Sequence, residues 1–242
     1  MDAAGYARCP CRTGRRTVKA GTRAIARAFL DPARPFDRYL YYYAAGKLGS
    51  DPVYRGTLQA LAGSDAPVLD VGCGIGLLLH ALRGDGRDIG YHGIDLDADK
   101  IERARRAASR AGLVDARFQA VDIARGLPAH HGSVAILDVL QYLPAAAQED
   151  VLATCVRMLA PGARLVIRTG LRDEGARSRF TRIADFFGHH AGWMKATPKH
   201  FPTRDWFESQ LAATGLQSSF TPLYGRTPFN NWLVVAEHRS AG

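Results

Sequence analysis

The residues with chemistry in this chain are densest in VLDVGCGIG, Val68 to Gly76, where an apolar run ends in Asp70 and Gly72, Gly74 and Gly76 follow at alternate positions. Such a turn could cradle nucleotide phosphates, the pyrophosphate of a dinucleotide, or a ligand without phosphate. A P-loop needs GxxxxGK[ST], and no lysine or hydroxyl follows Gly76. A dinucleotide turn of the GxGxxG type places its third glycine one position later. A phosphate on a helix N-terminus also wants amide donors without a carboxylate beside them. Asp70 is therefore awkward for pyrophosphate, but useful for a ligand carrying ammonium and sulfonium charge.

Further acids recur after later apolar runs. The second run ends in GIDLD and brings Asp95 to a strand end, where a carboxylate can accept from both ribose hydroxyls. Asp122-Ile123 follows the third, an acid for an exocyclic amine and an apolar side chain for a ring. The fourth leads into AILDVLQYLP and the fifth into MLAPGARLVIR. Taken alone, a glycine-rich turn can be purely steric; it is the series that suggests a site.

The elements needed to position these groups are legible. Apolar runs at 67–71, 89–95, 116–121, 133–139 and 163–169 alternate with helix-period segments near 75–83, 97–111 and 145–159. That alternation predicts βαβ crossovers and a parallel sheet covered on both faces. Farther on, a helix is expected at 178–189. TRDWFESQLAATG reads as another, capped by Thr203 and closed by Gly215. The C-terminal stretch reads as two antiparallel strands around a long loop. Before the alternation, 17–30 has a helical stripe, and two short helices are expected to break near Gly49-Ser50-Asp51-Pro52. The predicted organisation is a basic, disordered arm at 1–16, a helical lid at 17–63, and an α/β domain at 64–242 with an aromatic insertion at about 170–202.

At this point the sequence resembles the class I S-adenosylmethionine-dependent methyltransferases. VLDVGCGIG is similar to their first motif, GIDLD to the second, VDI to the third, AILDVLQYLP to the fourth and LAPGARLVI to the strand-five signature. The resemblance implies a Rossmann-like doubly wound seven-stranded sheet of order 3-2-1-4-5-7-6 with an antiparallel last strand. It implies S-adenosyl-L-methionine as cofactor and S-adenosyl-L-homocysteine as product. Carried onto this chain, Asp70, Gly72, Cys73, Gly74 and Gly76 would meet the methionine part, Asp95 with Leu96 the ribose side, and Asp122 with Ile123 the adenine. Asp138 would complete the cofactor edge.

Methyl transfer is an in-line displacement, so the protein supplies positioning and, for a weak nucleophile, a base. His200, Gln141 and Tyr142 are the candidates beside the methyl group. Related small-molecule enzymes often carry histidine where Gln141 stands; glutamine orients but takes no proton. His200 can equally be a surface or capping residue. No [N/D]PP[YF] turn follows strand four, which argues against methylation of base amino groups. In the lid, Tyr39, Tyr43 and Lys47 share a helical face, and Tyr43 or Lys47 could reach the methionine carboxylate. Aromatic packing is the competing reading. Arg168 and Arg172 could bind an acceptor anion or be solvated. Asn230-Asn231 could be hydrogen-bonded beside the pocket or sit in a turn. The insertion, with Phe180, Phe186, Phe187, Trp193, Met194 and Phe201, suggests a wall for a planar or apolar acceptor.

The bulk properties set the frame. The 242 residues suit one α/β domain with an extension, and 47% hydrophobic content is ordinary for a globular chain. The formal charge is +9. Arg8, Arg12, Arg15, Arg16, Lys19, Arg23 and Arg27 face Asp2 alone between Met1 and Leu30. This arm suits an acidic carrier protein, an anionic membrane surface or nucleic acid, or it is a solubilising tail. No run is long enough to span a bilayer. Cys9, Cys11, Cys73 and Cys155 form no CxxC pair, so neither a metal site nor a secreted disulfide framework is expected, and a reducing cytoplasm is. The leading expectation is methyl transfer to a small-molecule or acyl/polyketide-like acceptor, most readily at oxygen. RNA methylation, with no RNA-binding module in view, a non-catalytic cofactor-binding partner subunit, and a nicotinamide oxidoreductase follow.

Overall fold

The computed structural model describes residues 14–33, 36, 38–172, 200–224 and 230–238. The residues before Gly14, the expected helix at 178–189, His189, His190 and the large apolar residues of the insertion other than Phe201 lie outside the described residues.

The helices begin where the sequence offers caps. α1 (Gly14–Arg27) starts earlier than the expected 17, and α2 (Tyr39–Ser50) ends at Asp51. Asp51 caps α3 (Pro52–Ala60) by accepting from the Val53 amide, with proline at the first turn where a missing N–H costs nothing. Asp97 caps α5 (Ala98–Arg110) by accepting from the Asp99 and Lys100 amides. Between them lie β1 (Val68–Val71), α4 (Leu77–Gly84) and β2 (Tyr91–Asp95). β3 (Ala116–Ala120), β4 (Ser133–Leu137), α6 (Ala145–Arg157) and β5 (Arg164–Gly170) continue the alternation. α7 (Arg204–Ala212) is capped by Thr203, whose hydroxyl accepts from the Trp206 amide, and Gly215 turns the chain out at φ +76°. β6 (Leu216–Pro222) and β7 (Asn231–His238) follow.

The seven strands form one sheet in the order β3-β2-β1-β4-β5-β7-β6. The first five are parallel, and β7 runs antiparallel to both β5 and β6. This is the expected order. Parallel strands put all their C-terminal ends on one edge, and the order reverses between β1 and β4, the switch point at which open sheets of this kind bind ligands.

Alternate strand residues feed two cores. Leu69, Val71, Val134, Ile136, Leu165 and Ile167 pack under α6 and α7 with Phe207 and Leu211. Val68, Ala135 and Val166 pack under α4 and α5 with Leu78, Leu82 and Ile101. A third cluster, with Phe29, Ala44, Ile75 and Leu77, fastens the N-terminal helices to the glycine turn and α4.

His80 lies in this last seam. It is 3% exposed, its ring is tilted against Phe29 at 5.0 Å, and its Nε2 is buried without a hydrogen-bond partner. Burial pulls its pKa down to about 4. The unfolded chain therefore takes a proton near pH 6.5 that the folded chain refuses until about pH 4. This contribution to stability is present above pH 6.5 and is lost as pH falls toward 4. Between pH 7 and pH 4.5 it amounts to about 2–3 kcal/mol. His80→Leu should lose correspondingly less stability across that window in urea titrations; equal losses in the two proteins would refute the assignment.

Candidate active site

The glycine turn is built from three different constraints. At Gly72, φ +75°, a Cβ would lie 2.2 Å from Val139 Cγ2; at Gly76, φ +80°, it would meet the Phe118 ring at 2.9 Å. These two glycines are packing requirements. Gly74, at φ +57°, has nothing within 4 Å of its would-be Cβ and faces open space. The amides are committed too. Gly72 and Cys73 both donate to the Ile94 carbonyl, at 2.7 and 2.9 Å, and Gly76 donates to Cys73 at 2.9 Å. Gly74 donates to Asp95 Oδ2 at 2.9 Å. These four N–H groups form no phosphate cradle, since one already holds a carboxylate. The Cys73 thiol turns inward over Gly93 and is buried, which pushes its pKa well up.

Asp95 stands at the end of β2. Its Oδ2 is held by Gly74 and its Oδ1 accepts from the Asp97 amide at 2.9 Å, so each oxygen keeps acceptor capacity. Leu96 beside it is 71% exposed. Beyond β3, Asp122 Oδ1 accepts from the Ala124 amide at 3.1 Å and Oδ2 pairs with Arg125 at 3.3 Å. Ile123 is half-buried against the core. Asp70 is buried and accepts a 2.6 Å hydrogen bond from the Tyr91 hydroxyl. Burial raises its pKa to about 7, outweighing the Tyr91 hydrogen bond. The carboxyl expected to be a ready anion is thus poised between its two forms at neutral pH.

The end of β4 differs from the expectation for Arg168. This guanidinium is neither solvated nor free: it is 3% exposed and pairs with Asp138 and, at 3.4 Å, with Asp51. Asp138 adopts φ +61° and donates its amide to the Arg168 carbonyl at 2.9 Å. The Lys47 ammonium pairs with Asp51 at 2.9 Å. Burial alone would neutralise Lys47, but Asp138 and Asp51 reverse that and raise its pKa. Tyr43 stacks on Tyr39 at 6.3 Å, and burial raises its pKa as well. Sequence reasoning misses Asp51 as a site residue; the Asp-Pro pair marks it as a helix cap, and nothing local marks its partner 117 residues away.

Gln141, Tyr142 and His200 do come together. Gln141 is 8% exposed and its Oε1 accepts from Thr169 Oγ1 at 3.3 Å. Its carbonyl accepts from the His200 amide at 3.2 Å, fixing that segment against the turn. Burial and the Asp138 charge push the Tyr142 hydroxyl up to about 12, so it remains a neutral donor. Asn230 is hydrogen-bonded beside the β5 exit: Nδ2 donates to the Leu171 carbonyl and Oδ1 accepts from Trp232, both at 3.1 Å.

The seven-stranded sheet of this order matches the Rossmann-like fold of solved methyltransferases. Residues 68–162 match the family model described as a methyltransferase domain. That match spans less than half of the chain, and over it the chain is similar to methyltransferase domains. The ubiquinone biosynthesis O-methyltransferase of Xylella fastidiosa (strain 9a5c) is 38% identical over 108 residues, 44% of this chain and 42% of that protein. The chain thus matches less than half of that relative's length. Among solved structures, an O-methyltransferase family protein from Burkholderia thailandensis superimposes with a TM-score of 0.63 at 19% identity, over 88% of this chain and 62% of that one. Magnesium protoporphyrin IX methyltransferase from Synechocystis PCC 6803, solved with bound S-adenosylhomocysteine, gives 0.57 at 14% identity, over 97% and 91%.

The two reasons for glycine are separable. Gly72→Ala should cost about 2–4 kcal/mol, from overpacking against Val139 plus the left-handed backbone. Gly74→Ala, with open space, should cost about 1 kcal/mol for the backbone alone. Denaturant unfolding of both, with Val139→Ala restoring part of the first loss, checks this; equal costs would contradict it.

Proposed function

We propose that this chain transfers a methyl group from S-adenosylmethionine to a hydroxyl of a small molecule. The carrying observation is the state of the glycine turn. The amides of Gly72, Cys73, Gly74 and Gly76 are spent within the protein, and Asp95 is held with acceptor capacity on both oxygens. That suits a ribose diol and a cationic amino acid moiety, and it disfavours pyrophosphate. When bound, the cofactor supplies an activated methyl group on a sulfonium. Asp95 would accept from the ribose hydroxyls, and Asp122 from the adenine amine beside Ile123. Leu96 would offer its exposed side chain to the base. Gly74 would let the methionine part approach, with Asp70 facing its positive charge. Asp138 would border the acceptor side, where Tyr142 donates a hydrogen bond and His200 stands as the candidate proton acceptor.

Oxygen as the acceptor atom is supported by the name of the Xylella relative and by the absence of the amino-methylation turn in the sequence. Delivery of the acceptor on an acidic carrier protein rests on the run of cations from Arg8 to Arg27. Among the described residues, no helix is long and apolar enough to cross a membrane.

Radiolabelled methyl transfer into fractionated extract of the native cells tests the reading. Label should enter the organic-soluble or small acidic-protein fraction, and Asp95→Ala should weaken cofactor binding at least tenfold. Label in RNA would replace the small-molecule reading; cofactor binding with no label anywhere would leave a non-catalytic partner.

Asp70 adds a pH signature. A cationic ligand favours its ionised form, which is the minor form at pH 6 and the major form at pH 8. Cofactor affinity should therefore rise by up to about tenfold between these pH values and become flat in Asp70→Asn. Calorimetric titration reads it, and an unchanged affinity in the wild-type chain would remove Asp70 from the cationic end of the site.

A further inference from the structure

Behind His200 lies Gln148, a side chain with 0% exposure on α6 that the sequence does not single out. Its Nε2 faces three backbone carbonyls: Leu140 at 2.9 Å, Leu143 at 3.1 Å and His200 itself at 2.9 Å. Three acceptors around one end of an amide fix which end it is. Turned over, the Oε1 would confront three carbonyl oxygens in a buried setting with no donor among them. The Oε1 is thereby held toward the imidazole, 3.5 Å from His200 Nδ1. An amide oxygen is only an acceptor, so the ring nitrogen it faces must carry the hydrogen.

We infer that Gln148 is a positioning residue that holds neutral His200 as the Nδ1–H tautomer, which leaves Nε2 with a free lone pair. The inference deepens the reading above and rests on it for the identity of the reaction. A neutral histidine side chain in water prefers the opposite tautomer, with hydrogen on Nε2, which would present a donor where a base is wanted. The restraint comes from a fully buried side chain on a packed helix, and the same amide ties down the His200 carbonyl. Ring and backbone are positioned together, while the Gln141 carbonyl receives the His200 N–H from the other side.

The proton balance is simple. As the acceptor oxygen forms its new bond to the methyl carbon, the carbon–sulfur pair stays on sulfur. The hydroxyl proton passes to His200 Nε2, and the imidazolium then releases a proton to solvent. Gln148 neither gains nor loses a proton in this sequence, and no further reactant is needed.

The tautomer can be read without turnover. Nitrogen-15 NMR of the full chain at pH 8.5 distinguishes protonated from bare ring nitrogens, and the His200 signals among the eight histidines are identified by their loss in His200→Asn. The expected result is Nδ1–H in the wild-type chain. In Gln148→Met the population should shift toward Nε2–H. Wild-type His200 as Nε2–H would overturn the inference even if that variant does not fold, as would an unshifted tautomer in a folded Gln148→Met. Methyl transfer by His200→Asn separates the two claims. A loss of at least tenfold in kcat with an unchanged cofactor Kd supports the base role, and an unchanged kcat removes that role. Failure of the chain to transfer methyl at all would fall on the proposed function, while the NMR result would still decide the tautomer.

Discussion

An arginine in the middle of a sheet cannot be left alone, and the site edge is organised around that fact. Arg168 lies on β5 in register with Leu137 of β4 and Leu233 of β7, with almost no access to solvent. Taking a guanidinium out of water costs several kcal/mol unless anions meet it. The anions come from two other places: Asp138 leaving β4, and Asp51 between α2 and α3. Lys47 balances the second carboxylate, so two cations and two anions close the group. Burial would push Asp51 toward its neutral form, yet Arg168 and Lys47 prevail and hold its pKa low. The consequence is mechanical. The N-terminal helices are not free to dock anywhere on the sheet, because the carboxylate between them is required inside it.

The same requirement accounts for the backbone at Asp138. Residues other than glycine seldom sit at positive φ, although aspartate tolerates it better than most. Here the left-handed turn lets one residue satisfy Arg168 with its side chain and the Arg168 carbonyl with its amide. It also throws the chain into the short turn Leu140–Tyr142, which carries Gln141 and Tyr142 and receives the His200 amide. Charge compensation, strain and the placement of this turn are one arrangement.

How much of this can be read from the chain follows the range of each interaction. The strands, most helices, the caps at Asp51 and Thr203, and the sheet order depend on local signals or on the resemblance those signals support, and they are legible. Arg168 is not. Nothing near LVIRT tells a solvated arginine from a buried one, because its burial depends on β4 and β7 closing over it. The three glycines look equivalent in VLDVGCGIG, but two are set by Val139 and Phe118, which belong to later βα units far downstream. Gln148 looks like any polar helix residue, since its partners are carbonyls, which leave no mark in a sequence.

The acids along this edge of the sheet also cease to be equivalent once their partners are known. Asp138 is compensated by Arg168, Asp122 has Arg125 beside it, and Asp70 is held partly protonated by burial. Asp95 is different: it is held by two backbone amides, which orient the carboxylate and meet its charge without filling the site. Amides leave acceptor positions open where an arginine fork would occupy them. Of the four acids, Asp95 is thus the one whose oxygens are both oriented and available. It stands beside a glycine that faces open space, where a diol can approach and a phosphate would meet a fixed carboxylate.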